Sequence, residues 1–326
     1  MALNYPPVFV NGVQRSGTTL VIRMLSKSPN IAFFPRETHL FPLLWKVNDS
    51  ISKFKSGTEF SKFVLENFPK VNNGWTEDQD YLKEIAQSIQ NDNFIPSSTT
   101  NTLSYLLKHW QNKNPNCMVG EKTPAHIYYA EQIFKEFPNA KFIITVRDPR
   151  GIALSEMVKL AQNPRNKANF NLFSFIVRWQ TAHNLAKKWQ EKFGTEKVKY
   201  IKYEDIILQP QQTVLELCNF LEIAFLPEML EVGVVNSSFL DLKQKDKRFN
   251  TENLTRWKEG LSKQQIALIQ YHLSSSMKEL GYDIEEVDNQ LLKSQLQNDL
   301  KMKAAELVCN GFPAYFHHLN RNEKYK

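Results

Sequence analysis

Cysteine is scarce and unpatterned in this chain: Cys117, Cys218 and Cys309 are far apart and odd in number. They make neither a disulfide framework nor a metal motif, and read as reduced core thiols of a cytoplasmic protein. The opening Met-Ala-Leu-Asn-Tyr-Pro-Pro has no basic stretch followed by an apolar one, so no signal peptide is expected. No uncharged apolar run approaches the ~20 residues of a membrane span. No internal repeat is apparent, and no cluster of His, Cys, Asp and Glu has metal-ligand spacing. The adjacent His317 and His318 sit in a polar tail whose composition explains them better than a ligand role. The net charge of +7 is spread along the chain without basic blocks. That distribution argues against a nucleic-acid surface and suits a small anionic ligand.

What is present is an ordinary globular composition, 42% apolar and 23% charged over 326 residues, enough to bury a large core. The most informative stretch is Gly12-Val13-Gln14-Arg15-Ser16-Gly17-Thr18-Thr19. It has the two glycines of a phosphate loop, but Thr18 stands where a nucleotide triphosphatase carries its lysine. An apolar run (8–10) precedes it and an amphipathic run (Leu20, Ile22, Met24, Leu25) follows, which predicts strand, tight loop and helix N-terminus in succession. Backbone N–H groups and the positive end of the helix dipole then cradle an anion. Without the lysine that reaches β- and γ-phosphates, the loop suits a shorter anion.

Further apolar runs at 31–34, 117–119, 141–146 and 198–201 each lead toward a helical pattern, the one after 117–119 covering 125–137. Alternating strands and helices predict an α/β fold with a doubly wound parallel sheet, P-loop-like and flanked by helices. Ligands of such sheets sit at the carboxyl ends of the strands. Here those ends are 12–19, 35–39, 120–122, 147–149 and 203–204. Residues 40–115 read as a helical insertion with Trp45, Phe54, Phe60, Phe63 and Trp75 as anchors and Asp78 and Asp80 as charges. We expect this insertion to form a substrate wall over the sheet. Residues 237–253 are polar and aperiodic, long for a connection, and read as a lid or loop. Residues 262–326 read as helices plus a polar tail, within a single domain 1–326.

Several residues at these strand ends have chemistry to offer, each beside a plainer reading. Arg15, inside the loop, can fork onto two oxygens of a phosphate or sulfate. Asp148 and Pro149 start a helix as N-cap and first residue. Arg147 just before them and Ser155 two turns on either hold a second phosphate or are an ordinary surface arginine and helical serine. Glu37 is either a general base or a charge placed near a helix start. His39 either shares the proton work or packs on a helix face. Lys122 either stabilises charge on transferred or leaving oxygens or is solvated.

Together these elements resemble the sulfotransferases that use 3′-phosphoadenosine 5′-phosphosulfate. Gln-Arg-Ser-Gly-Thr-Thr at 14–19 is similar to that family's 5′-phosphosulfate loop, and Val-Arg-Asp-Pro-Arg at 146–150 with Ser155 to its 3′-phosphate motif. The likeness covers about 6–260 and is weak over 40–115. Pro-Arg-Glu-Thr-His-Leu-Phe at 35–41 and Glu-Lys-Thr-Pro-Ala at 121–125 resemble the base and lysine segments of the tyrosylprotein and heparan-type branch. The cytosolic branch would have a base histidine directly after Lys122-Thr123. Pro124 intervenes here, so His126 is set aside. Lys159 matches a position that is basic in the tyrosylprotein type. Tyr203 resembles a nucleotide-contacting tyrosine, and Asn250 and Arg256 lie at a loop end that supplies phosphate contacts.

The resemblance implies Arg15, Lys122, Glu37 and His39 as catalytic groups. It implies Arg15, Ser16, Gly17, Thr18, Thr19, Arg147, Ser155, Lys159, Tyr203, Asn250 and Arg256 as the donor site. It implies no metal, while the scattered charge and the lack of a long apolar run lead us to expect no nucleic-acid or membrane partner. Those relatives are membrane-anchored and lumenal, whereas no anchor is legible here. That difference favours a small-molecule acceptor, a hydrophobic alcohol, phenol or cationic metabolite of secondary metabolism, sulfated on oxygen or nitrogen. The competing readings are a kinase-like enzyme, which lacks its lysine and Mg²⁺ acid, a protein tyrosine sulfotransferase, and a non-catalytic nucleotide binder.

Overall fold

Strands whose two faces are both buried need apolar residues at nearly every position, and the runs noted above supply them. In the computed structural model, which describes residues 3–45, 51, 54–71, 78–162, 170–232 and 249–286, five strands form one sheet. They are β1 (Val8–Gly12), β2 (Ile31–Phe33), β3 (Met118–Glu121), β4 (Lys141–Val146) and β5 (Val198–Lys202). Their order is β2-β3-β1-β4-β5 and every pairing is parallel. The described helices are α1 (Thr18–Leu25), α2 (Leu40–Trp45), α3 (Gly57–Val71), α4 (Gln79–Asn91), α5 (Thr99–Lys113), α6 (Ala130–Glu136), α7 (Pro149–Ala161), α8 (Leu172–Phe193), α9 (Tyr203–Leu208), α10 (Pro210–Leu221), α11 (Trp257–Gly260) and α12 (Lys263–Glu279).

The two-residue period of the strands sorts the core into two layers. Val8, Val10, Ile143 and Ile201 join Val21, Met24 and Leu25 of α1 and Val214 and Leu217 of α10. Phe9, Phe142 and Ile144 join Ile133 and Phe134 of α6 and Trp179 and Trp189 of α8 on the other face. Complete burial of a side chain such as Phe9 or Phe142 contributes about 1.5–3 kcal/mol. Helices on both faces make this the doubly wound α/β sheet that the alternating pattern predicts.

Within 40–115 the described residues outside α2, α3, α4 and α5 contain no strand. Helices α3 and α4 pack through Phe60, Val64, Phe68, Ile85 and Ile89. Helix α5 is tied to β2 by Trp110, whose indole N–H donates to the Ala32 carbonyl at 3.0 Å.

One expected helix differs in detail. Residues 124–129 wind as a 3-10 turn (Pro124–Tyr129) before α6 begins. The Ile127 carbonyl in this turn also accepts the Trp189 indole N–H at 2.7 Å, which ties the turn to α8. Strand β3 also starts one residue later than the apolar run and reaches Glu121. Of the segment 237–253, residues 237–248 lie outside the described residues, as do Trp75, Cys309, His317, His318 and the tail from 287. Among the described residues no helix is long and apolar enough to cross a membrane.

Candidate functional site

Because the five strands are parallel, their carboxyl ends share one edge, and each end carries a residue singled out by the sequence. In spatial order these are Glu37 and His39 after β2, Lys122 after β3, the loop 12–19 after β1, Arg147 after β4 and Tyr203 after β5. The loop owes its shape to two glycines. Gly12 has φ 141° and Gly17 φ 99°, both unfavourable for a side chain, and a Cβ on Gly17 would lie 2.6 Å from Tyr203 Cδ2. The Ser16 hydroxyl turns inward, donating to the Val13 carbonyl at 2.6 Å and meeting Thr145 Oγ1 at 2.6 Å. The Ser16 N–H also donates to Val13, at 3.2 Å. Both Ser16 groups thus fasten the loop to itself and to β4, which leaves the amides of the first turn of α1 to face a ligand.

Arg15 and Arg147 converge on this loop. Arg15 has φ 70°, a strained value for a non-glycine residue, and its Nε donates to Ser155 Oγ at 3.0 Å. Arg147 donates from one terminal nitrogen to the Arg15 carbonyl at 3.2 Å and from the other to the Asn253 carbonyl at 2.9 Å. Its guanidinium carbon stands 4.2 Å from the centroid of the Tyr203 ring. Gly151 gives this guanidinium room, since a Cβ there would come within 3.2 Å of Arg147 Nε. Burial, reinforced by the Arg147 charge, pushes the Arg15 guanidinium below its ordinary value, though an arginine so placed stays charged. Arg15, Arg147, Ser155 and Tyr203 therefore form one cluster beside the loop.

The helix after Arg147 starts as expected: Asp148 caps α7, accepting from the Arg150 N–H at 2.8 Å, with Pro149 at its first turn. Asp148 also takes the Arg150 side chain at 2.7 Å, and Glu204 accepts the Asp148 N–H at 3.0 Å. Tyr282 donates its hydroxyl to the other Glu204 oxygen at 2.9 Å. Burial pushes the Glu204 carboxyl above its ordinary value. Asn250 caps a 3-10 turn (Thr251–Leu254) by accepting from the Glu252 N–H at 2.9 Å, and this turn delivers the Asn253 carbonyl to Arg147. Arg256 lies one turn on and pairs with Glu252 at 3.4 Å. Lys159 is exposed on the last turn of α7 and makes no hydrogen bond or ion pair among the described residues.

At the β2 and β3 ends, Glu37, Lys122 and His39 come together. One Glu37 oxygen accepts from Lys122 Nζ and the other lies 2.8 Å from His39 Nε2. Burial alone would raise the Glu37 carboxyl, but Lys122 and then His39 outweigh it and hold the group down at about 2. His39 has φ 45°, the second strained non-glycine residue of this site. Arg36 reaches across to Asp78 at the start of α4, at 3.6 Å, which joins the glutamate loop to the helical segment.

Beneath these groups is a cluster that the sequence reading did not single out. Glu121 is 1% exposed and accepts from the Thr38 N–H (3.1 Å), the Thr38 hydroxyl (3.1 Å) and the Thr123 hydroxyl (2.5 Å) on one oxygen. His126 Nδ1 lies 2.8 Å from its other oxygen. His126, set aside as a base, is fully buried between Phe9 and Phe41 and belongs to this pair. A signal was present: in an extended segment Glu121 and Thr123 point opposite to Lys122, so a lysine facing the cleft puts both of them inside.

The parallel sheet with helices on both faces is a P-loop-like α/β fold that carries a glycine loop and a glutamate–lysine pair at one sheet edge. The family model described as "Sulfotransferase family" matches residues 6–228. The chain belongs to that family and is a transferase. Among curated proteins it is similar to protein-tyrosine sulfotransferase 2 of Gallus gallus, 26% identical over 290 residues, covering 85% of this chain and 70% of that one. It is likewise similar to protein-tyrosine sulfotransferase 1 of Danio rerio, 27% identical over 293 residues, covering 85% and 72%. Among solved structures, the sulfotransferase domain from the Synechococcus PCC 7002 olefin synthase shares the fold, with TM-score 0.60 and 18% identity over 87% of this chain and 98% of that one. The sulfotransferase domain from the curacin biosynthetic pathway does so with TM-score 0.57 and 21% identity, over 87% and 100%.

Proposed function

We propose that the protein transfers a sulfuryl group from 3′-phosphoadenosine 5′-phosphosulfate to a hydroxyl or amine of a small-molecule acceptor, and that the described residues form one catalytic domain. The observation that carries this reading is the pair of arginines at the phosphate loop. Arg147 spends its terminal nitrogens on two neutral carbonyls and its face on Tyr203, an arrangement well suited to exchanging carbonyl contacts for a stronger charge-assisted bond to phosphate. The residues present fit the donor: the amides of 17–19 and Arg15 at the 5′ end, with Arg147, Ser155 and Tyr203 at the 3′ end. Asn250 and Arg256 join the 3′ end through the turn that touches Arg147, and Lys159 contributes charge from the rim. A 3′-phosphate grip of this kind excludes ATP.

In the proposed reaction Glu37 accepts the proton of the acceptor hydroxyl, and the acceptor oxygen forms its bond to sulfur. The bond between sulfur and the bridging oxygen of the 5′-phosphate breaks, and 3′-phosphoadenosine 5′-phosphate leaves with the electron pair. Lys122 and Arg15 neutralise charge on the sulfuryl and bridging oxygens, and Glu37 then returns its proton to solvent. His39 orients Glu37 through their 2.8 Å contact. Donor binding that draws Lys122 toward the bridging oxygen also relieves Glu37 of its strongest partner, which raises its basicity when a base is needed.

For the acceptor we propose a secondary metabolite bearing a phenol or alcohol, met in the cytoplasm and seated against the helical segment 40–115. A tyrosyl hydroxyl of a polypeptide is the second reading, supported by the curated relatives named above. The test is calorimetry and thermal shift with 3′-phosphoadenosine 5′-phosphate against ATP, followed by labelled-donor transfer to a metabolite panel and to tyrosine peptides. Stabilisation by ATP alone would overturn the donor assignment, and labelling of peptides alone would overturn the small acceptor.

A further inference from the structure

Below the Glu37–Lys122–His39 group lies a buried carboxylate that the proposed chemistry does not use. An ionised carboxylate in the interior is costly unless its oxygens are satisfied, and replacing such a pair by apolar residues is often neutral or stabilising. Stability alone therefore gives little reason to keep one. One Glu121 oxygen is satisfied by donors from two different loops, Thr38 at the exit of β2 and Thr123 at the exit of β3, and the other lies 2.8 Å from His126 Nδ1. The His39 N–H also donates to Thr123 Oγ1, at 3.4 Å. Alternation organises both loops. Thr38, Glu121 and Thr123 are buried to 1% or less, while the residues beside them in sequence, Glu37 and Lys122, keep some exposure and meet each other. The inward bonds lock together the two loops whose outward residues form the ion pair. Two of the four non-glycine residues with positive φ among the described residues are Arg15 and His39, so the backbone at His39 is held in a conformation it would not choose alone.

We propose that Glu121 is a positioning residue which, through Thr38 and Thr123, fixes the register of Glu37 against Lys122 and thereby sets the geometry of proton removal. This rests on the reading of Glu37 as base. The carboxylate form is what the device needs, since protonation would turn one accepting oxygen into a donor facing donors. Burial raises the Glu121 carboxyl, but His126 and the threonine hydrogen bonds more than reverse this and keep it below the usual carboxylate range. The clamp itself is made by the three bonds from Thr38 and Thr123 to one Glu121 oxygen.

The register can be read without knowing the acceptor. The rate at which acetic anhydride labels Lys122, measured by mass spectrometry, reports how firmly Glu37 holds its ammonium. Lys202, bonded to the Leu280 carbonyl at 2.9 Å, serves as the internal control for unfolding. Glu37→Gln should raise Lys122 labelling. Glu121→Gln and Thr38→Val should raise it about threefold to tenfold, the effect of losing one such hydrogen bond, with Lys202 unchanged. Thr38→Ser, which keeps the hydroxyl, should stay near wild type. In labelled-donor transfer to 4-nitrophenol or to water, Glu121→Gln should lower kcat roughly tenfold and leave donor Kd within about twofold. The Glu37→Gln/Glu121→Gln double variant should be no slower than Glu37→Gln alone, because Glu121 acts through Glu37. Should Glu121→Gln loosen the fold and raise Lys202 labelling, Thr38→Val decides. Unchanged Lys122 labelling in Thr38→Val, or multiplicative losses in the double variant, would overturn the proposal. Full turnover by Glu37→Gln would instead remove the base reading, while Lys122 labelling still answers the question of register.

Discussion

At the scale of single residues the site is a set of charges held by unequal partners. Glu37 is pinned by a lysine and a histidine, and Arg147 by two carbonyls and an aromatic ring. The first arrangement is strong, the second replaceable, and the expected losses differ accordingly. Glu37→Gln should cut kcat by roughly 10²–10⁴, the range for a general base, with donor affinity nearly intact by calorimetry. Arg147→Ala should instead weaken donor binding about 10- to 100-fold, as loss of a hydrogen-bonded charge does. An unchanged Kd would remove Arg147 from the 3′ end. Residue types were legible in sequence where they stand alone at a strand exit, as Arg15, Glu37 and Lys122 do. Glu121 was not, because a charged residue is recognisable as interior only through partners far along the chain, here Thr38, 83 positions away. The inward turn of Ser16 was hidden for the same reason, since it depends on Thr145 across the sheet.

At the scale of elements, the turn between β1 and α1 is the part whose shape and chemistry cannot be separated. Gly17 combines φ 99° with a Tyr203 ring lying where a side chain would begin. Gly17→Ala is expected to destabilise the fold by about 1–3 kcal/mol, the cost of forcing a residue into such a conformation. It should also abolish measurable nucleotide binding, because the ring and the first-turn amides of α1 would shift together. Equal donor affinity in wild type and Gly17→Ala, by calorimetry, would contradict this account of the loop. Strands and most helices were readable because period and capping are local: Asp148 and Pro149 start α7 where the sequence puts them. The 3-10 turn at Pro124–Tyr129 was not readable, because a proline-led helical pattern looks alike in sequence whether its first turn winds as 3-10 or α.

For the whole molecule, two carboxylates in one region make stability depend on acidity. Glu37 falls from an ordinary value of 4.5 to about 2 on folding, and Glu121 falls in the same direction. A carboxyl that is more acidic when folded stabilises the protein above its unfolded value, and this contribution is lost as pH falls toward the folded one. The melting temperature should therefore drop between about pH 4.5 and about pH 2, and drop less steeply in Glu37→Gln. Parallel melting curves for the two proteins over that window would count against the ion pair. The sheet order β2-β3-β1-β4-β5 is the feature of the molecule furthest from the reach of a sequence pattern, since strand neighbours are decided by packing between distant segments. Periodicity gave five strands and their exits, but not which exits adjoin.

That ordering has a consequence for how such enzymes diversify. Under the proposed reading, nucleotide-facing groups come from the β1-β4-β5 side of the sheet and proton-handling groups and the helices 40–115 from the β2-β3 side, with the glycine turn as the seam. On that reading, transplanting the helices of the β2-β3 side from another member of the family is expected to redirect the enzyme to a new acceptor while leaving the machinery of the other side as it stands.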